Sequence, residues 1–293
     1  MKNLRRWLPL VILSTAIGVV TMDMTITNVS LNAIIASLHT NLRTFQWIVT
    51  SYSLVLGAFT ITGGRLGDKF GRKRMFLLGA VLFALGSVVT ATAHRADVML
   101  LGEGIIEGMG AALMSPASSA LILTTYRERK ERALAFGFYT GAAGLAASIG
   151  PLIGGYLTTY HSWRWAYFIN PFTITVMLLF SRTLKESQKN SNTTISLPSV
   201  LLAAFGLAGI VFGIVESSAY GWFKARQPFF LFGNTLWLLN TLSVAFIGLL
   251  IGLFIVTLFV YYQRILEHKG VMALVSSKLL MNRQFRPVLL PAS

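Results

Sequence analysis

The stretch "GRLGDKFGRKR", residues 64–74, decides how the rest of the chain is read. Six of its eleven residues are charged, and glycine stands at Gly64, Gly67 and Gly71. Around it lies a 293-residue chain that is 54% hydrophobic and only 12% charged. Its mean hydropathy is +0.66. So dense a charged island marks the place where the chain leaves an apolar phase, turns, and re-enters it.

Working outward, apolar runs of about 20 residues recur, each long enough to cross a hydrocarbon core of about 30 Å. In lipid, only helices or closed barrels pair every backbone polar group. The runs lack a period of two, so helices are expected. The segments fall at roughly 8–28, 44–63, 75–93, 98–124, 133–157, 165–183, 199–217 and 230–262. The last exceeds the length of one span, which implies tilt or an interfacial turn near Gly233 and Asn234. The N-terminal apolar run outlasts a signal-peptide core and lacks a small-residue cleavage site, so it reads as the first span.

Orientation follows from Lys and Arg in the connections. With the N-terminus inside, the outer connections hold Arg43, Arg95, Arg164, Lys224 and Arg226, and the inner ones hold the remaining 20 of 25 cations. A net charge of +15 is therefore a matter of membrane topology, not of a nucleic-acid surface. Residues 64–74 become an inner loop between the second and third spans, and both termini are expected in the cytoplasm of a multi-pass cell-membrane protein. The chain has no cysteine, and His39, His94, His161 and His268 are far apart. No thiolate metal site, nucleophile motif or phosphate loop appears. No enzyme activity, cofactor or metal is expected.

The cations of the loop serve topology. The three glycines would let one span end and the next begin within a few residues. Asp68 would pair with a neighbouring cation or a helix N-terminus, or stand as an incidental acid in a solvated turn. Further along, carboxyls lie inside apolar segments: Asp23 on the first span, Glu103 and Glu107 on the fourth. Such groups are costly in a membrane and mark function by default. Glu103 and Glu107 are spaced to share one helix face, so at least one is expected to hold a proton at neutral pH. Glu103 has the alternative of reaching the outer surface, and Glu216 is expected at the interface. Gly137 with Gly141, and Gly150 with Gly154, form small-residue pairs that permit close helix contact. Pro151 removes a backbone hydrogen bond and should kink that helix. Phe45, Trp47, Tyr52, Phe59, Tyr139 and Tyr156 are candidates to line an apolar cavity.

The loop resembles, position for position, the loop 2–3 signature of the major facilitator superfamily of secondary transporters. "DMTITNVSLN" (23–32), "GLAASIGPLIGG" (144–155) and "WRWAYFINP" (163–171) are similar to signatures of its fourteen-helix drug:proton antiporter branch. The resemblance implies an all-α polytopic fold: a six-helix N-terminal bundle over 1–183, a cytoplasmic linker over 184–198, two inserted membrane helices over 199–262, and a cytoplasmic tail over 263–293. It implies proton-coupled efflux of hydrophobic or cationic drug-like small molecules. Protons, a small-molecule substrate and the lipid bilayer would be the partners, without nucleic acid. Proton coupling would involve Asp23, Glu107 and Glu103. The gating loop would be Gly64, Arg65, Gly67, Asp68, Gly71, Arg72 and Lys73. The antiporter motif of the fifth span would be Gly144, Gly150, Pro151, Gly154 and Gly155, sealing against the opposite half.

Two departures stand against this pattern. In "LGEGIIEGMGAA" (101–112), Gly104 occupies the position where the family carries arginine, and Glu107 that of its glutamine. The chain also stops at "LMNRQFRPVLLPAS", about where the next crossing is expected. The second half would be lost to truncation, the favoured expectation, or supplied by another chain or a second copy. The rival expectation is a non-transporting remnant or assembly partner. Nutrient import is a weaker third, opposed by the antiporter-like fifth span.

Overall fold

The computed structural model describes residues 2–187, 196–231, 234–237 and 242–268. Of the expected linker over 184–198, residues 188–195 lie outside them, as do residues 269–293 of the expected tail over 263–293. The chain divides into two compact units, Met1–Lys189 and Asn190–Ser293.

In the first unit, α1 (Lys2–Val29) is followed by a short α2 (Leu31–Ser37), then α3 (Leu42–Phe70) and α4 (Arg72–Ala91). The fourth crossing comprises α5 (Ala96–Met99), a π-helical stretch (Leu100–Glu107) and α6 (Gly108–Thr125). Then come α7 (Arg129–Tyr160) and α8 (Trp163–Phe180). Side-chain caps fix two starts: the Asn41 carboxamide oxygen accepts from Thr44 N–H at 2.9 Å, and Ser162 Oγ accepts from Arg164 N–H at 3.3 Å. These satisfy amides that a helix N-terminus leaves unpaired.

The second unit holds α9 (Leu197–Tyr220), strands β1 (Phe229–Leu231) and β2 (Asn234–Trp237), and α10 (Val244–His268). Pro198 sits in the first turn of α9, where its missing N–H costs nothing. The eighth span therefore begins at Val244, not at 230. The aromatic and β-branched residues before it pair as an antiparallel hairpin, Phe230 opposite Thr235.

Among the described residues, seven helices are long and apolar enough to cross a membrane. The sixth crossing, α8, has 18 residues and carries Arg164 and Asn170 within its apolar length. In the first unit α1 packs on α7, α6 packs on both α3 and α4, and α4 also packs on α8. Glycine makes the α4–α6 crossing possible. A Cβ on Gly79 would stand 2.7 Å from the Gly110 carbonyl oxygen, and one on Gly110 would stand 2.5 Å from Phe83 N. One core cluster centres on Phe76, Phe83, Leu121 and Tyr126, another on Ile34, Ile48, Trp163 and Tyr167. In the second unit, Gly209 and Gly252 bring α9 and α10 together, a Cβ on Gly209 meeting Gly252 Cα at 2.8 Å.

Candidate functional site

The three membrane acids converge, though they come from different helices. Asp23 (α1) is 1% exposed, Glu103 is 3% and Glu107 is 0%. Both glutamates belong to the π-helical stretch, so the face they share is built on i→i+5 backbone bonds and not on the α-helical turn expected from their spacing. Glu103 does not reach a surface. Its carboxylate accepts from Thr27 Oγ1 at 2.8 Å and from Tyr167 Oη at 2.9 Å. Thr27 and Tyr167 are also 2.8 Å apart.

Asp23 accepts from the Asn170 carboxamide at 2.6 Å, and the same nitrogen donates to Ser87 Oγ at 3.1 Å. Glu107 adjoins Asp23 and Ser87, yet neither of its oxygens completes a hydrogen bond of ordinary geometry. Among the described residues, the polar partners of the three carboxyls are hydroxyls, one carboxamide and one another; no lysine or arginine is among them. Gly104, where the resemblance expects arginine, is pressed against α3: a Cβ there would lie 2.0 Å from Ser51 Oγ.

Sequence reasoning missed Thr27, Ser87, Tyr167 and Asn170. Asn170 offered a signal, being an amide inside an apolar span one turn beyond Tyr167. Thr27, Ser87 and Tyr167 offered none.

At the 64–74 loop the expected multi-residue turn reduces to one residue. Helix α3 runs through Gly64 and Gly67 to Phe70, and α4 begins at Arg72. Gly71 alone breaks the helix, with φ +109° and ψ 131°, a conformation that L side chains rarely adopt. Asp68 pairs with Arg72 at 3.0 Å, and Arg72 also donates to the Ala120 carbonyl at 3.2 Å. The chain after α8 folds back over the start of α4. Glu186 accepts from the backbone N–H of Lys73 at 3.0 Å and of Arg74 at 3.2 Å. Lys73 Nζ donates to the Leu184 carbonyl at 2.7 Å. Arg65 is half-buried. Nothing in the sequence pattern pointed to Glu186.

The glycines of α7 separate into two groups. Gly150 and Gly154 press on α1, where a Cβ would lie 2.1 Å from Thr25 Oγ1 and 3.0 Å from Ile26 Cγ1, respectively. Gly155 lies near Val29, and Pro151 lies inside the helix. Gly137, Gly141 and Gly144 meet nothing within 4 Å. Instead, Gly137 and Gly141 line an apolar groove of about 1050 Å³ between α1 and α7, with Trp7, Ser14, Phe138 and Leu145. Of the expected aromatics, Phe45, Tyr52 and Tyr139 are core residues, and Tyr139 Oη bonds Ser118 Oγ at 2.7 Å. Tyr156 is exposed. Glu216, expected at the interface, is buried.

Comparison with known proteins agrees with this architecture. The chain is 35% identical over 219 residues to the puromycin resistance protein pur8 of Streptomyces alboniger, covering 74% of this chain and 43% of that protein. It is 32% identical over 216 residues to the multidrug resistance protein Stp of Mycobacterium tuberculosis, covering 73% and 40%. With the lincomycin resistance protein of Streptomyces lincolnensis it shares 32% over 212 residues, covering 72% and 44%. The chain thus spans less than half the length of these relatives. Among solved structures, the peptide transporter POT bound to alafosfalin superposes with a TM-score of 0.58 at 14% identity, covering 88% of this chain and 68% of that one. That likeness concerns the fold alone. The family model for the Major Facilitator Superfamily matches residues 13–281; with the bundle, the loop at Gly71 and the buried acids in place, this multi-span membrane chain belongs to that superfamily of transporters, not to any class of enzymes.

Proposed function

We propose that the chain is part of a secondary active transporter that couples inward proton flow to efflux of hydrophobic or cationic drug-like small molecules across the cell membrane, with both termini cytoplasmic. The observation that carries this reading is the buried group of Asp23, Glu103 and Glu107, joined to α4 and α8 through Ser87, Asn170 and Tyr167. Three carboxyls held in low dielectric without a cationic partner need protons to keep the cluster near neutrality. Protons that are required by the cluster and exchangeable with one side of the membrane at a time are what a carrier uses. With Gly104 in the arginine position, Glu107 carries the exchangeable proton itself.

The resistance functions named for the relatives support a drug-like solute, and the apolar groove between α1 and α7 offers a surface for one. The bias of Lys and Arg toward the inner connections supports the orientation. The loop at Gly64, Gly67, Asp68, Gly71 and Arg72 then works at the inner face; Gly150, Gly154 and Gly155 hold the fifth crossing against α1, while Gly144, with nothing within 4 Å, leaves it open to the remainder of the carrier, whether in the same polypeptide or a second one.

The test is dye efflux from proteoliposomes under an imposed pH gradient, with the full carrier containing this sequence. Glu107→Gln is expected to abolish gradient-driven efflux while leaving dye binding intact. Full gradient-driven transport by that variant would eliminate the reading.

A further inference from the structure

Five buried side-chain oxygens around the acidic cluster lack a hydrogen-bond partner: both oxygens of Glu107, Asn170 Oδ1, Tyr52 Oη and Thr90 Oγ1. They come from the π-helical stretch, α8, α3 and α4. Tyr52 and Asn170 are 4% and 0% exposed. Tyr52 lies in the field of all three acids, and the Asn170 amide nitrogen is already committed to Asp23 and Ser87. Buried oxygens left in this state are destabilising, and in native proteins they signal a bound water or ion.

The local shortage is of positive charge. Glu107 and the Asn170 carboxamide oxygen can only accept, apart from a proton that Glu107 itself binds. One proton bridges two oxygens. A metal cation accepts from several at once, and hard cations choose oxygen. The charge is set by the ligand supply. Glu103 is committed to Thr27 and Tyr167, and among the described residues no set of three His, Asp or Glu is placed to share one metal ion; two carboxylates remain, too few for the dense shell a divalent ion needs. The glycines keep the neighbouring helices close. A Cβ on Gly86 would stand 2.5 Å from Glu107 Cγ and 2.8 Å from the Gly102 carbonyl oxygen, so α4 and the fourth crossing are already as close as backbones allow.

We propose that Asp23 and Glu107, with the oxygens of Asn170 and Ser87, bind a small monovalent cation of the sodium class. The site rests on the same cluster as the proton-coupled reading and adds a second ion that competes with the proton there. The titratable groups facing the pair are Glu103 from its own crossing, Tyr52 from α3 and Tyr167 from α8; α4 contributes only hydroxyls. Because the cation needs the deprotonated carboxylate, raising the pH tightens binding, by about tenfold per unit while one proton is displaced.

The experiment measures radiolabelled sodium binding to the purified chain in detergent, with choline as the counter-cation at constant ionic strength. Saturable binding is expected, weakened as pH falls. Glu107→Gln and Asp23→Asn should remove it, and Ser87→Ala should weaken it about tenfold. Gel filtration establishes that each variant is folded. Should the carboxyl variants not fold, wild type and Ser87→Ala decide. Absence of saturable binding in wild type overturns the proposal, as does binding that Glu107→Gln or Ser87→Ala leaves unchanged, the result expected if ordered water alone fills the cluster. Failure of sodium binding while Glu107→Gln still abolishes pH-driven efflux removes this site and leaves the proton reading standing. Saturable sodium binding with efflux indifferent to Glu107→Gln does the reverse.

Discussion

Replacing Gly71 by alanine should damage the inner loop in two separable ways. The first is conformational: φ +109° with ψ 131° is a region that side-chain-bearing residues occupy at a cost of about 1–3 kcal/mol. The second is steric. A Cβ would stand 2.6 Å from Glu186 Cδ and 2.7 Å from its Oε1. The carboxylate can swing away, but only by releasing the amides of Lys73 and Arg74, and loss of a cap at a helix N-terminus costs about 1 kcal/mol. Gly71→Ala should therefore cost about 2–4 kcal/mol and Glu186→Ala about 1 kcal/mol. The double variant should be no worse than Gly71→Ala alone, because the cap has already been lost. The resulting coupling, about 1 kcal/mol, exceeds the 0.3–0.5 kcal/mol scatter of independent sites. The natural chain has no cysteine, so a single Ala80→Cys probe, at a fully buried position, reports unfolding in detergent through a thiol-reactive dye without background. Additive costs in this cycle would refute the assignment of Glu186 as the cap of α4.

Other expectations follow from the same contacts. Gly141→Val should fold with a melting temperature near wild type, because nothing lies within 4 Å of that position, whereas Gly150→Val should fail to yield folded protein by gel filtration, a Cβ there striking Thr25. Asn170→Leu should destabilise the first unit by about 1–3 kcal/mol, because it strips the buried Asp23 of its carboxamide donor; thermal unfolding with the same probe measures it. Gly252→Leu should part α9 from α10, since even a Cβ would stand 2.4 Å from Ile210 N. Protease cleavage within residues 221–243 should rise in that variant.

Much of the helical order was readable because a span must be long and apolar, and nothing in the fold overrides that requirement. Ends were harder. Apolar content falls away after residue 63, yet α3 continues to Phe70, since Arg, Lys and Leu sustain a helix and a helix need not stop where the lipid stops. The start of the eighth span was misplaced because Phe229–Leu231 and Asn234–Trp237 are apolar enough to pass for membrane helix, while their β-branched and aromatic residues suit a hairpin. The acids themselves were conspicuous from composition. Their partners were not: Glu103 finds Tyr167 64 residues away, and Asp23 finds Asn170 147 residues away. Such pairings are set by which helices adjoin. The π-helical stretch was invisible too, because an i, i+4 pair of glutamates fits either helical form. The candidate aromatics divide for a related reason: Tyr52 and Tyr139 pack inward, Tyr156 lines a separate apolar pocket with Leu152 and Trp165, and the groove is walled by Trp7 and Phe138.

The glycine contacts between the third and fourth crossings have a mechanical consequence. Gly79, Gly86, Gly102 and Gly110 mesh backbone to backbone, like the teeth of a closed zip. Sliding either rod along its neighbour by one residue would drive carbonyls and side chains into slots sized for hydrogen atoms. These two rods are therefore expected to travel as one stiff beam in any working cycle, and bending is left to thinner places, of which the single-residue break at Gly71 is the plainest.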